Sequence, residues 1–170
     1  NISDFLLKIP GINTKTLFDF CLKTKNYDLL ANLYLDKLND PISSMNILAN
    51  CGNYEKINNL VNLIDEKNQY ISEMVIKWLF SSTKINQFHN FRDLMHFNNG
   101  KDEFIAKSFD YIAKFEKPFT LEQYLNNLIF IFYLENIPVT SNYYKLLEKI
   151  LLNSNIKFSN ISLKYLLQRI

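Results

Sequence analysis

The sequence predicts an all-α fold of stacked antiparallel helical hairpins, an α-solenoid of about ten helices. Three observations predict it. Apolar residues recur at three- and four-residue spacing along nearly the whole length, the period of a one-sided helix. The 170 residues include only 3 Gly and 4 Pro, too few for the corners of a turn-rich β architecture. A helix–turn–helix pattern also returns at an offset of 27 residues. Hydrophobic residues are 48% and charged residues 21%, which supports a buried core and argues against disorder.

A short opening segment holding Phe5, Leu6 and Ile9 stops at Pro10-Gly11. Helices are expected over 14–24, with Leu17, Phe18, Cys21 and Leu22 on one face, and over 27–38, with Leu30, Leu33, Tyr34 and Leu38. Asp40-Pro41 reads as a helix start, because a proline in the first turn sacrifices no hydrogen bond. The helix it opens runs over 42–50 and ends at Cys51-Gly52. The next spans 54–65 through Ile57, Leu60, Val61 and Ile64. Helices over 70–81 (Met74, Ile76, Trp78, Leu79) and 87–97 (Phe88, Phe91, Leu94, Met95) follow.

Asn98-Asn99-Gly100 is the clearest break, a candidate sub-boundary near 98–101 within a single domain spanning 1–170. A helix over 103–115 carries Ile105, Phe109 and Ile112. Pro118-Phe119-Thr120 then opens the most apolar helix, over 121–134, with Thr120 as its cap. Its seven-residue run Leu128–Leu134 is β-prone but keeps the helical period set by Leu121 and Leu125. A bilayer needs about 20 apolar residues, so no membrane span is expected. Asn136-Ile-Pro138 breaks this helix, and segments over 141–152 and 160–169 complete the array, the last capped by Ser159 or Asn160. The sequence begins at Asn1 without a Met, which reads as a piece of something longer, with any targeting segment out of view.

The internal repeat is specific. Thr24-Lys-Asn-Tyr-Asp28 parallels Cys51-Gly-Asn-Tyr-Glu55 at the offset of 27, which also maps Cys21 onto Leu48, Leu22 onto Ala49, Leu30 onto Ile57, Leu33 onto Leu60 and Tyr34 onto Val61. Lys25 or Gly52 would end the first helix in the left-handed conformation. Asp28 or Glu55 would sit in the first turn of the second helix and favour its positive end. One such hairpin cannot bury its apolar stripe alone, so units must stack.

Thr16 through Tyr34 and Ser43 through Val61 each resemble a pentatricopeptide repeat: a small polar residue opens the first helix, a hinge follows, then an acidic residue and paired apolar positions. Asn136 through Leu147 resembles the linker of that family entering its next helix. Tetratricopeptide repeats and vesicle-coat-type α-solenoids share these features. The resemblance implies single-stranded RNA lying against the first helices, with Thr16 and Ser43 at the base-facing position. It also implies a mitochondrial, fungal-style factor for transcript maturation, stability or translation.

Net charge is only +2, too mild to argue for nucleic acid by itself. From position 145 onward, however, Lys145, Lys149, Lys157, Lys164 and Arg169 face Glu148 alone. They read either as a solvated helix face or as contacts to an anionic partner; in the RNA reading that the resemblance implies, Lys145, Lys149, Lys157 and Lys164 are the candidate phosphate contacts. Tyr143 and Tyr144 are adjacent and cannot both face a core, so Tyr144 beside Lys145 is the candidate surface aromatic.

Chemistry finds no purchase. His89 and His96 lie seven apart rather than at the metal-pair spacing of three or four, and one of them is expected to be exposed and the other partly packed. Cys21 and Cys51 have no neighbouring Cys or His partner, which fits a reduced compartment, cytoplasmic if not mitochondrial, and not secretion. Nor is there a glycine-rich loop for phosphate. The expectation is a binding module with no catalytic, metal or cofactor site and no small-molecule substrate. Its partner is single-stranded RNA or another protein, the latter for a scaffold within a larger solenoid.

Overall fold

The computed structural model describes residues 5, 8, 9, 11–84, 86–152 and 160–169. Among them are ten α-helices and one 3-10 turn, and no strand. The helices are α1 (Thr14–Thr24), α2 (Tyr27–Asp36), α3 (Pro41–Asn50), α4 (Tyr54–Val61), α5 (Gln69–Ser82), α6 (Phe88–Asn98), α7 (Glu103–Phe115), α8 (Pro118–Leu134), α9 (Asn142–Leu152) and α10 (Asn160–Arg169), with the 3-10 turn at Glu66–Asn68. The all-helical expectation holds. The protein forms two compact units, Asn1–Leu60 and Val61–Ile170, and the break at Asn98–Lys101 lies inside the second.

In the first unit, α1 and α2 close over a cluster of Leu17, Cys21, Leu29, Leu30 and Leu33, with Ile12, Phe18, Tyr34 and Ile47 packed around it. Phe18 and Tyr34 meet edge to face at 5.1 Å. The Ser44 hydroxyl donates to the Ala31 carbonyl at 2.8 Å and fastens α3 to α2.

The second unit is built on rings. Trp78, Phe91, Tyr124 and Phe132 are fully buried. Phe104 lies against Phe91 and Tyr143, and Tyr124 against Phe80 and Phe109. Tyr165 of α10 packs on Phe130 and Tyr133 of α8, at 5.1 and 4.6 Å. The buried Ser108 and Tyr124 hydroxyls pair with each other, whereas the buried Tyr111 hydroxyl has no hydrogen-bond partner among the described residues. Ser108 gives its proton to the Ile105 carbonyl at 2.7 Å, so Tyr124 donates to Ser108 at 2.9 Å.

Three helix boundaries differ by two residues or more from those expected, each for a local reason. The helix predicted to reach 65 ends at Val61, although the apolar period runs on through Ile64. Asp65 is extended (φ −156°), caps the 3-10 turn through the Lys67 N–H, and is gripped by Ser72, whose hydroxyl accepts from its N–H and donates to its carbonyl. These side-chain bonds outcompete the helix. The helix predicted over 27–38 ends at Asp36, because the backbone must turn through Asn39 (φ 53°) to present Asp40 as the next cap. The helix predicted from 121 begins at Pro118, whose fixed φ suits the first turn, and Thr120 is not its cap but lies inside that turn, its N–H donating to the Lys117 carbonyl. The cap proposed at Ser159 lies outside the described residues.

No helix among the described residues is long and apolar enough to cross a membrane.

Candidate functional site

The repeat proposed from sequence is a repeat of hydrogen bonds. Lys25 (φ 55°) and Gly52 (φ 76°) both adopt the left-handed conformation. Asn26 N donates to the Cys21 carbonyl at 2.9 Å, and Asn53 N to the Leu48 carbonyl at 2.8 Å. Lys25 N reaches Leu22 at 3.4 Å, and Gly52 N reaches Ala49 at 3.1 Å. Each pair is separated by the same 27 residues, and each turn is the six-to-one, five-to-two pattern that closes a helix C-terminus.

The helix starts repeat as well. Asn26 Oδ1 accepts from Leu29 N, and Asn53 Oδ1 from Lys56 N. One helix earlier, Asn13 accepts from Lys15 N and Asp40 from Ser43 N. The Asn13–Asp40 equivalence was present in the sequence at the same offset, but no apolar position marks it.

The two turns are tied side by side. Asn53 Nδ2 donates to Asp28 Oδ1 at 2.9 Å, and Lys56 Nζ stands 3.6 Å from the same carboxylate. Beside this polar edge lies a hollow of about 340 Å³ lined by Tyr27, Leu30, Ile47, Asn50 and Cys51. A shallower polar hollow of about 450 Å³ adjoins it over Lys25, Asn26, Asp28, Gly52 and Asn53, sharing Tyr27 and Cys51. Tyr27 is exposed, whereas its repeat counterpart Tyr54 is buried. Cys51 sits just past the end of α3 with its thiol exposed, while Cys21 is buried, and burial pushes the Cys21 thiol up. Tyr27, Asp28, Cys51 and Asn53 all lie in the two repeated pentapeptides, but the repeat alone does not show that they meet around one hollow.

The sequence-predicted residues fare unevenly. Thr16 is exposed on α1. Ser43, at the equivalent place on α3, is half-buried, and its hydroxyl donates to Asp40 Oδ2 at 2.6 Å. That bond and the Ser43 N–H hold the Asp40 carboxyl below the usual carboxylate range. Lys145 and Lys149 are exposed one turn apart on α9, and Lys164 is exposed on α10. Lys157 lies outside the described residues. Tyr144 is half-buried with its ring 5.4 Å from Phe132, and Tyr143 is the core member of the pair.

His89 and His96 are both exposed, correcting the expectation that one would pack. His96 Nε2 stands 3.6 Å from Glu135 Oε2. No group of three His, Cys, Asp or Glu among the described residues could hold a metal ion.

Tyr143 organises the second unit's corner. Its hydroxyl donates to the Met95 carbonyl at 2.8 Å and accepts from Gly100 N at 3.3 Å. Burial, with a smaller push from Asp102, raises its pKa and keeps the phenol protonated to make both bonds.

No protein-family model matches the sequence, and no curated protein or solved structure matches it either.

Proposed function

We propose that the protein is a non-enzymatic helical-repeat module whose first unit grips a segment of a partner protein, with α1–α2 and α3–α4 as two repeats of an α-solenoid. The observation that carries this reading is the hollow of Tyr27, Leu30, Ile47, Asn50 and Cys51 beside the Asp28–Asn53 edge. It offers apolar depth for an anchoring side chain and amide and carboxylate groups at its rim to orient a backbone, the usual division of labour in peptide grooves. The charge balance favours a protein over a polyanion, since residues 1–60 hold six lysines and six acidic residues. Ser43 spends its hydroxyl proton on Asp40, which disfavours base reading at that position.

The test is a peptide-display selection against the folded protein, with affinities read by fluorescence anisotropy. Groove-dependent ligands should bind at about 1–100 μM, the range of small transient interfaces. Tyr27→Ala, at an exposed wall of the hollow, should weaken binding while leaving the helical circular dichroism intact. Ligands indifferent to Tyr27→Ala would overturn the assignment.

A second reading is favoured by the exposed Lys145, Lys149 and Lys164. In it the protein is a pentatricopeptide-type binder of single-stranded RNA, in a mitochondrial setting. Mixed oligoribonucleotides should then bind with steep salt dependence and weaken on Lys145→Glu/Lys149→Glu. Absence of binding at low salt would remove this reading and leave the first untouched.

A further inference from the structure

Asn followed by Gly occurs once in the sequence, at Asn99-Gly100. That dipeptide joins α6 to α7 in the corner under Tyr143. Asn99 is exposed in the left-handed conformation (φ 48°, ψ 54°), and Gly100 follows at φ 88°. A Cβ placed on Gly100 would meet nothing within 4 Å, so water has room beside the peptide. The glycine offers no side chain to hinder attack by its own nitrogen.

We propose that Asn99 is a deamidation site held dormant by the Tyr143 hydroxyl. The Gly100 nitrogen attacks Asn99 Cγ. A new C–N bond forms, the carboxamide Cγ–Nδ2 bond breaks, and the nitrogen's proton leaves with the departing ammonia, giving a succinimide. Water then opens either carbonyl of that ring to aspartate or isoaspartate, with no oxidant or reductant involved.

The latch is geometric. In the folded protein the Gly100 N–H points at Tyr143 Oη, 3.3 Å away. That phenol cannot drift, because it is buried, bonded to the Met95 carbonyl and packed against Phe104 and Phe132. Attack requires the Gly100 nitrogen to abandon Tyr143 and turn toward the Asn99 side group. Once formed, isoaspartate would lengthen the backbone by one carbon and put a carboxylate at the negative end of α6. Both changes unseat the corner that positions α9, so the conversion is a one-way release.

The experiment is incubation of the folded protein at mildly alkaline pH, with peptide mapping by mass spectrometry and an isoaspartyl methyl-acceptor assay. Wild type should convert slowly, with Asn99 first among its asparagines. Tyr143→Phe keeps the ring and removes the latch, and should convert several-fold faster. Tyr124→Phe removes a different buried hydroxyl and should match wild type, which separates the latch from general loosening. Asn99→Gln should stay unmodified at this position. Equal rates in wild type and Tyr143→Phe, equal acceleration by Tyr124→Phe, or a wild-type rate matching the urea-unfolded protein would each overturn the proposal.

Discussion

The two units solve the same problem by different means. In Asn1–Leu60 the largest fully buried side chains are Leu29, Leu33, Met45 and Ile57, none of them aromatic, and the helix starts are set by caps spanning two or three residues, with Ser44–Ala31 and Asn53–Asp28 tying the hairpins across 13 and 25. In Val61–Ile170 they include Trp78, Phe91, Tyr124 and Phe132, and hydroxyl bonds reach across 16 to 48 residues. Local bonds can be copied, and the first unit copies them at a fixed offset. Long-range ring packing is fitted once, and copying it would require copying the whole core. The first unit is therefore modular, and the second is a single jigsaw.

The sharpest way to break this comparison is to remove one ring. Phe104 is buried between Phe91 and Tyr143. Phe104→Ala should cost about 3–5 kcal/mol, the usual loss for a buried aromatic left as a cavity. Hydrogen exchange should show the loss concentrated on α6, α7 and α9, with the amides of the Lys25 and Gly52 turns changed far less. Equal loss of protection in both units would mean that the contrast is not energetic.

A pH scan sharpens it next. Asp40 is ionised and hydrogen-bonded by Ser43 when folded, which depresses its pKa. Unfolding returns it to about 4, so this stability is complete above about pH 4 and is lost as pH falls through the folded value. Tyr124 and Tyr143 shift the other way, with burial the leading cause for each. Their folded forms hold the proton more tightly, so their contribution is complete below about pH 10 and is lost as pH climbs through the folded values. Acid should therefore open the first unit before the second, and alkali should reverse the order. Trp78 is the only tryptophan and lies in the second unit, so its fluorescence reports that unit against the helical signal of the whole protein. Asp40→Asn should blunt the acid branch alone. An acid branch unmoved by that change would assign the sensitivity elsewhere.

The same contrast explains what was legible in the sequence. Apolar period revealed the helices, and the recurrence around Asn26 and Asn53 revealed a turn whose bonds lie within six residues. The failures have local causes too: Ser72 clamping Asp65 is a side-chain bond across seven positions, invisible to periodicity. The hollow under Tyr27 was not legible, because its walls come from α2 and from α3 with its C-cap and depend on how the two repeats stack. Tyr143 was legible only as half of an either-or choice. Its selection over Tyr144 follows from carbonyl and amide partners 48 and 43 residues away.

The smallest effect tests the repeat itself. Lys25 and Gly52 hold the same left-handed place, at φ 55° and φ 76°, but a residue with a Cβ bears a conformational cost there that glycine does not. Lys25 is exposed, so its replacement removes no buried contact. A Cβ at Gly52 would meet nothing within 4 Å, so backbone conformation alone separates the two positions. Lys25→Gly should stabilise the first unit by about 0.5–1 kcal/mol in urea denaturation, net of the greater freedom glycine gives the unfolded state. Gly52→Lys should cost a similar amount. Opposite signs of comparable size would establish that the two turns are one motif written twice. A neutral Lys25→Gly would instead mean that the lysine's own interactions offset the strain it carries, and that the first turn has been tuned separately from the second.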